Sequence, residues 1–133
     1  MAENIFLEVV TPSKVVISEE AQIVVAPGSN GEFGVLRGHT TFLTSLNTGT
    51  LRYKDPAGQE KLIFINGGFA EVLPGKVTLL AESAEKKEDI DLARAKKAKE
   101  RAEQRLAAKG ENVDFVRAEA SLRRAIQRIS LVG

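Results

Sequence analysis

An α+β chain, with a β-sandwich or barrel over residues 1–84 and an antiparallel two-helix hairpin over residues 85–133, is what this sequence predicts. Three observations carry that prediction. Short apolar segments separated by Gly/Pro turns fill the first part, as in all-β domains. From Asp89 onward the apolar spacing becomes helical. Composition also switches near Glu85: all 4 prolines and most of the glycines precede it, and alanine is concentrated after it. Residues 1–84 carry 6 basic and 9 acidic side chains, whereas residues 85–133 carry 13 and 9. Two units with different physics meet there.

The expected strands follow in order. Ile5 to Val10 is β-branched and apolar, and Thr11-Pro12-Ser13 stops it. Val15 to Ile17 comes next, then Ala21 to Ala26, halted by the run from Pro27 to Gly31. The glycine-rich stretch Gly31 to His39 reads as a tight loop between two strands. Leu51 to Lys54 runs into the turn Asp55-Pro56-Ala57-Gly58. Lys61 to Ile65, Phe69 to Leu73 and Val77 to Leu80 complete the set, with Pro74-Gly75 turning between the last two.

In the second unit Ile90, Ala93, Ala98, Ala102 and Leu106 recur at roughly helical spacing, with Asp89 as the expected N-cap and Gly110 as the stop. A second helix starts near Asn112 or Asp114 and carries Phe115, Ala118, Leu122, Ala125, Ile126 and Ile129 on one face. The short break between the helices predicts an antiparallel hairpin. Its inner faces are mostly alanine, which releases little transfer free energy at roughly 25 cal/mol per Å². A marginal hairpin tethered to a solid domain suits a moving part.

Several chemistries are excluded. There is no cysteine, so disulfides and zinc–thiolate sites are out. Gly75-Lys76 is followed by Val77, so it does not complete a phosphate-binding loop. With His39 as the single histidine and acids scattered singly, no catalytic constellation stands out. The net charge of +1 argues against overall nucleic-acid binding. No apolar run reaches the ~20 residues that span a bilayer, and the start MAENIFLEVV lacks the features of a signal peptide. A cytosolic-side protein is expected, held at any membrane by something else.

The helices invite a charge argument. If the hairpin turn is centred between Gly110 and Glu111, Arg94 lies level with Gln127 and Arg101 with Ala120. Arg124 and Arg128, one turn apart, then belong to the same end as Arg94. Converging guanidinium groups repel unless carboxylates or an anion sit among them. Asp91 and Glu85 supply part of that charge. The plainer reading is a solvated basic face paired with nearby acids.

Three strings resemble one family. GEFGVLRGHTTFLTSL, Gly31 to Leu46, and Phe64 to Val72 resemble two signatures of the epsilon subunits of bacterial F-type ATP synthases. Ile90 to Ala95 resembles the box that opens their C-terminal helices. The resemblance runs through nearly the whole chain, in order. It implies a flattened antiparallel β-sandwich bound to the gamma subunit and seated on the c-subunit ring, with Glu32 and His39 matching the loop that meets the ring. It also implies a non-catalytic rotor subunit, peripheral on the cytoplasmic face of the bacterial plasma membrane, whose helices reach the alpha and beta subunits and inhibit ATP hydrolysis. Some family members bind regulatory ATP in the folded hairpin, and the matching positions here are Glu85, Ile90, Asp91, Arg94, Ala95, Arg101, Arg124 and Arg128. Arg37 departs from the pattern, standing where many members have proline, which predicts a slightly looser loop. The rival readings are a free-standing adaptor whose basic helices bind an acidic partner or nucleic acid, and a small hydrolase on a β scaffold.

Overall fold

The computed structural model describes residues 3–108 and 114–133. The chain divides into two compact units, Met1–Lys87 and Glu88–Gly133. The junction expected at 84/85 falls inside the last strand, which runs on to Lys86.

The first unit holds β1 (Ile5–Val10), β2 (Val15–Ala21), β3 (Ile23–Gly28), β4 (Gly31–Val35), β5 (Phe42–Ser45), β6 (Gly49–Lys54), β7 (Glu60–Leu73) and β8 (Lys76–Lys86). Hydrogen bonding runs in the order β2-β1-β8-β7-β6-β3-β4, with β5 on β7. Pairing is antiparallel except between β1 and β8, which are parallel from Phe6↔Lys76 to Val10↔Leu80. The unit is the expected antiparallel sandwich with this one parallel pair in it. β1 and β8 are joined by nearly the whole unit and not by a hairpin, so no turn constrains their direction.

One path of pairing becomes two layers because β7 and β8 serve both. The first half of β7 pairs with β6 and the second half with β5, while β8 follows it throughout. The inward set changes parity on the way. Ile63 and Ile65 are buried before the crossing, Ala70 and Val72 after it; on β8, Val77, Leu79 and Ala81 give way to Ala84. The strands keep one register but turn their faces over between the layers. Gly67 and Gly68, at φ +64° and +107°, make the turn. A Cβ on Gly68 would stand 2.0 Å from the Leu80 carbonyl oxygen, so no other residue fits without displacing backbone. The sequence reading placed two separate strands here. The Asn66-Gly67-Gly68 break is a kink inside one strand.

The sandwich interior is built from alternate residues of each strand: Ile5, Leu7 and Val9, Val24 and Ala26, Leu51 and Tyr53, and the β7 and β8 sets. Each large side chain buried this way contributes about 1.5–3 kcal/mol. The stretch from Gly31 is a strand as far as Val35, paired antiparallel with β3, and so only its second part is a loop. Near the start of β7, Glu19 of β2 accepts bonds from the Tyr53 hydroxyl and from Lys61 Nζ at 3.2 Å. These bonds tie β2 to β6 and β7. Lys61 also stands 3.7 Å from Asp55 Oδ2. Its hydrogen bond to Glu19 is the main influence raising the Lys61 pKa above the usual 10.5, against a smaller desolvation effect.

A 3-10 turn (Lys87–Asp89) spans the junction, and the second unit holds α1 (Leu92–Ala107) and α2 (Phe115–Val132). Both helices open on an aspartate in extended conformation. Asp91 Oδ1 accepts the Arg94 N–H and Asp114 Oδ1 the Arg117 N–H, each at 3.0 Å. Asp89 lies in the 3-10 turn and is not the cap, a correction to the expected start. The expected stop at Gly110, the candidate cap Asn112 and the turn centre lie outside the described residues.

α1 and α2 pack on each other. Ala95 and Ala102 are buried on the first, Ala118, Ala125 and Leu131 on the second. Ala93, Phe115 and Ile126 are exposed and do not belong to the buried face as expected. Each helix thus presents two alanines seven residues apart, the spacing that returns to the same stripe every two turns. The antiparallel register that sets alanine against alanine pairs Ala95 with Ala125 and Ala102 with Ala118. A seam of methyl groups allows close approach and buries little area.

Candidate functional site

Three regions bear on function, and each lies within one unit. The first is the end of the sandwich beyond β4. Glu32, on β4, is tied to its own sheet: Oε1 accepts a bond from Arg52 Nη2 at 3.1 Å. His39 lies past the other end of the strand, so β4 separates the two residues matched to the ring-facing loop. His39 is half-buried, and its Nδ1 donates to the Thr40 carbonyl oxygen at 2.8 Å. Its ring rests 5.3 Å from the ring of Phe42, which meets Phe33 edge-on at 5.1 Å. One ring contact, to Phe42, and a local hydrogen bond fix its orientation.

The turn leading to His39 is pinned by a residue that the sequence reading took as loosening. Arg37 Nε pairs with Glu3 Oε2 at 2.8 Å, and Nη1 donates to the Asn4 carbonyl oxygen at 3.0 Å. Below it, the Gly38 N–H donates to Pro74 O at 2.6 Å and the His39 N–H to Leu36 O at 3.1 Å. The φ restraint of a proline is replaced by bonds to two other segments of chain.

The second region was missed by sequence reasoning. On the outer face of the sandwich, pairing aligns Val10, Leu80, Phe69 and Ser45 across four strands. Phe69 and Leu80 are each 56% exposed, and Leu43, two residues before Ser45 on β5, is 70% exposed. Beside this row is a recess of about 390 Å³ lined by Val10, Pro12, Gly68, Phe69, Leu80 and Ala81, among others. The signal was present in the sequence. Leu79-Leu80 and Phe69-Ala70 are apolar on both faces of their strands, which strict alternation does not explain.

The third region is the basic side of the helices. Arg94 and Arg101 on α1 are exposed, and Arg124 and Arg128 on α2 are half-buried. The alanine register places Arg124 and Arg128 at the same end of the hairpin as Arg94. Arg101 lies two turns along α1 from Arg94, towards the other end. Arg124 Nη2 donates to Ser121 Oγ at 3.1 Å. Guanidinium groups at one end fit a polyphosphate, which offers several acceptor oxygens. The other matched positions differ in character. Asp91 spends one carboxylate oxygen on the helix cap, Ile90 and Ala95 are buried, and Glu85 belongs to β8 in the first unit. Among the described residues, no group of three or more His, Cys, Asp or Glu side chains could hold a metal ion. Among the same residues, no helix is long and apolar enough to cross a membrane.

Comparison with known proteins follows the same division. The family described as ATP synthase, Delta/Epsilon chain, beta-sandwich domain matches residues 4–87, and the long alpha-helix domain of the same chain matches residues 88–133. The ATP synthase epsilon chain of Desulforapulum autotrophicum is 71% identical over 107 residues, 80% of this chain and 79% of that one. The corresponding chain of Desulfosudis oleivorans is 65% identical over 106 residues, 80% of each. Among solved structures, a chain of the Euglena gracilis mitochondrial ATP synthase, OSCP/F1/c-ring in rotational state 1, superposes with a TM-score of 0.85. It is 26% identical, and the match covers 98% of this chain and 82% of that one. A chain of the Tetrahymena thermophila central stalk/c-ring structure shares the fold at a TM-score of 0.60 and 14% identity, with 99% of this chain and 98% of that one covered.

Proposed function

The chain belongs to the ATP synthase delta/epsilon chain family as an epsilon-type subunit of the central stalk, and we propose that it is a non-catalytic coupling and regulatory element. In this reading the β unit binds the gamma subunit and sits on the c ring, at the cytoplasmic face of the membrane. The helical unit reaches the alpha and beta subunits, restrains ATP hydrolysis and responds to ATP.

The observation that carries the docking half is the exposed apolar row. A Phe and a Leu side by side, each more than half exposed beside an apolar recess, are costly on an isolated soluble surface and ordinary at an interface. The recess suits an aliphatic or aromatic anchor from the gamma subunit. Co-purification with gamma tests it. Phe69→Asp and Leu80→Asp should abolish retention while leaving the circular dichroism spectrum unchanged. Retention of gamma by both variants would remove this face from the interface.

The regulatory half rests on the arginines grouped at one end of a hairpin with an alanine seam. The hairpin buries little, so its closed state is open to small biases. An ATP phosphate chain among Arg94, Arg124 and Arg128 would be such a bias.

A further inference from the structure

We propose that Arg37 is a positioning residue, a latch whose ion pair with Glu3 holds the Leu36–His39 turn in the shape that docks on the c ring. The proposal rests on the reading of that end of the sandwich as the ring-facing surface. Three segments far apart in sequence meet there. The start of the chain supplies Glu3 and Asn4, the β4–β5 connection supplies the turn, and the β7–β8 turn supplies Pro74 and Gly75. Arg37 joins the first two through Nε to Glu3 and Nη1 to the Asn4 carbonyl oxygen. Gly38 joins the turn to Pro74, and the Phe6 N–H donates to Gly75 O at 3.0 Å, closing the ring of contacts.

The turn needs such an anchor. Gly38 sits at φ +86°, and nothing lies within 4 Å of where its side chain would be, so packing does not hold it. Leu36 points outward at 56% exposure. An exposed leucine on a turn fixed by hydrogen bonds is a pre-shaped contact, and pre-shaping lowers the ordering cost of docking. A proline would restrain φ at one residue. The arginine fork instead couples the turn to the chain start, and the coupling weakens with ionic strength.

Charge reversal separates a latch from a direct contact with the ring. Arg37→Glu and Glu3→Arg should each speed hydrogen exchange at the Gly38 amide in the isolated subunit. Each should also weaken binding of the subunit–gamma complex to detergent-solubilised c ring about two- to fivefold at low salt, the range that a surface ion pair permits. The double variant, Arg37→Glu with Glu3→Arg, should restore both, and high salt should level all four proteins. If the double variant shows no recovery, or Gly38 exchange is unmoved by Arg37→Glu, the latch is overturned. Leu36→Asp tests the docking reading separately. Wild-type ring affinity in that variant overturns the reading and the docking role of the latch with it, while the exchange data still report the ion pair.

Discussion

Asp91 and Arg94 are joined by the first turn of their own helix: the Asp91 carboxylate accepts the Arg94 N–H at 3.0 Å. The bond runs to the Arg94 backbone, so it leaves the guanidinium available to an anion. It also gives Asp91 a duty that needs no nucleotide. Asp91→Ala should cost about 1 kcal/mol of helix stability through the lost cap, and Asp91→Asn much less, since an amide oxygen caps equally well. Thermal melts followed at 222 nm without nucleotide check this. Equal losses in both variants would point to the carboxylate charge and not to the cap.

Gly68 makes the sharpest stability prediction. A methyl group there meets backbone at 2.0 Å, whereas Gly58, also at positive φ, has open space around it. Gly68→Ala should cost about 3 kcal/mol or more, at the severe end for single substitutions. Gly58→Ala should cost about 1–2 kcal/mol, from conformation alone. Urea unfolding of the two variants measures the difference, and similar midpoints would refute the kink geometry.

Lys61 links stability to alkaline pH. Its folded pKa is raised above 10.5, mainly by the hydrogen bond to Glu19. A raised pKa means that the folded state holds this proton more tightly. The stabilisation is therefore full below about pH 10.5 and is lost as pH rises through the folded value. Lys61→Met should be less stable than the parent at pH 8, and the gap should close as the pH climbs past 10.5. The side chain is well exposed, so screening keeps the effect modest. A gap that is constant with pH would exclude the ion pair as its cause.

The arginine set predicts ATP binding to the isolated subunit. ATP that binds the closed hairpin and not the open one stabilises it by RT ln(1 + [ATP]/Kd), about 2.7 kcal/mol at a hundredfold excess over Kd. Arg94→Ala and Arg124→Ala should each weaken binding by about 1.5–3 kcal/mol, the worth of a charge-assisted hydrogen bond. Isothermal titration is the measurement. No heat and no thermal shift at millimolar ATP would leave these arginines as a solvated basic face.

How far the sequence carried the fold depends on the range of the interaction involved. β1 and β6 were legible because Ile5-Leu7-Val9 and Leu51-Tyr53 alternate and their turns are local. β5 was not, since its four residues, Phe42 to Ser45, are too few to show a period. The glycine pair at 67–68 read as a break because the partner that makes it a kink, Leu80, is distant in sequence. Parallel pairing of β1 with β8 has no local signal at all.

The helical arginines and their grouping at one end were legible from the expected hairpin turn, but the alanines that face each other were only partly so. The expected α1 face used Ala93, Ala98 and Ala102, and the buried pair is Ala95 and Ala102. His39 and Glu32 were found by resemblance. Their ties to Thr40 and Arg52, and the hold of Glu3 on Arg37, required the pairing of strands.

On the proposed reading, the helical unit acts on the catalytic machinery while the β unit alone secures the subunit in the stalk. The direct measurement is ATP hydrolysis by the assembled enzyme carrying either the full chain or a chain ending at Lys87, where the first compact unit ends. With gamma and the shortened subunit both retained in the complex, hydrolysis should be faster than with the full chain, and most clearly when ATP is scarce. Equal rates at low and high ATP, with the shortened subunit shown to be present, would contradict it.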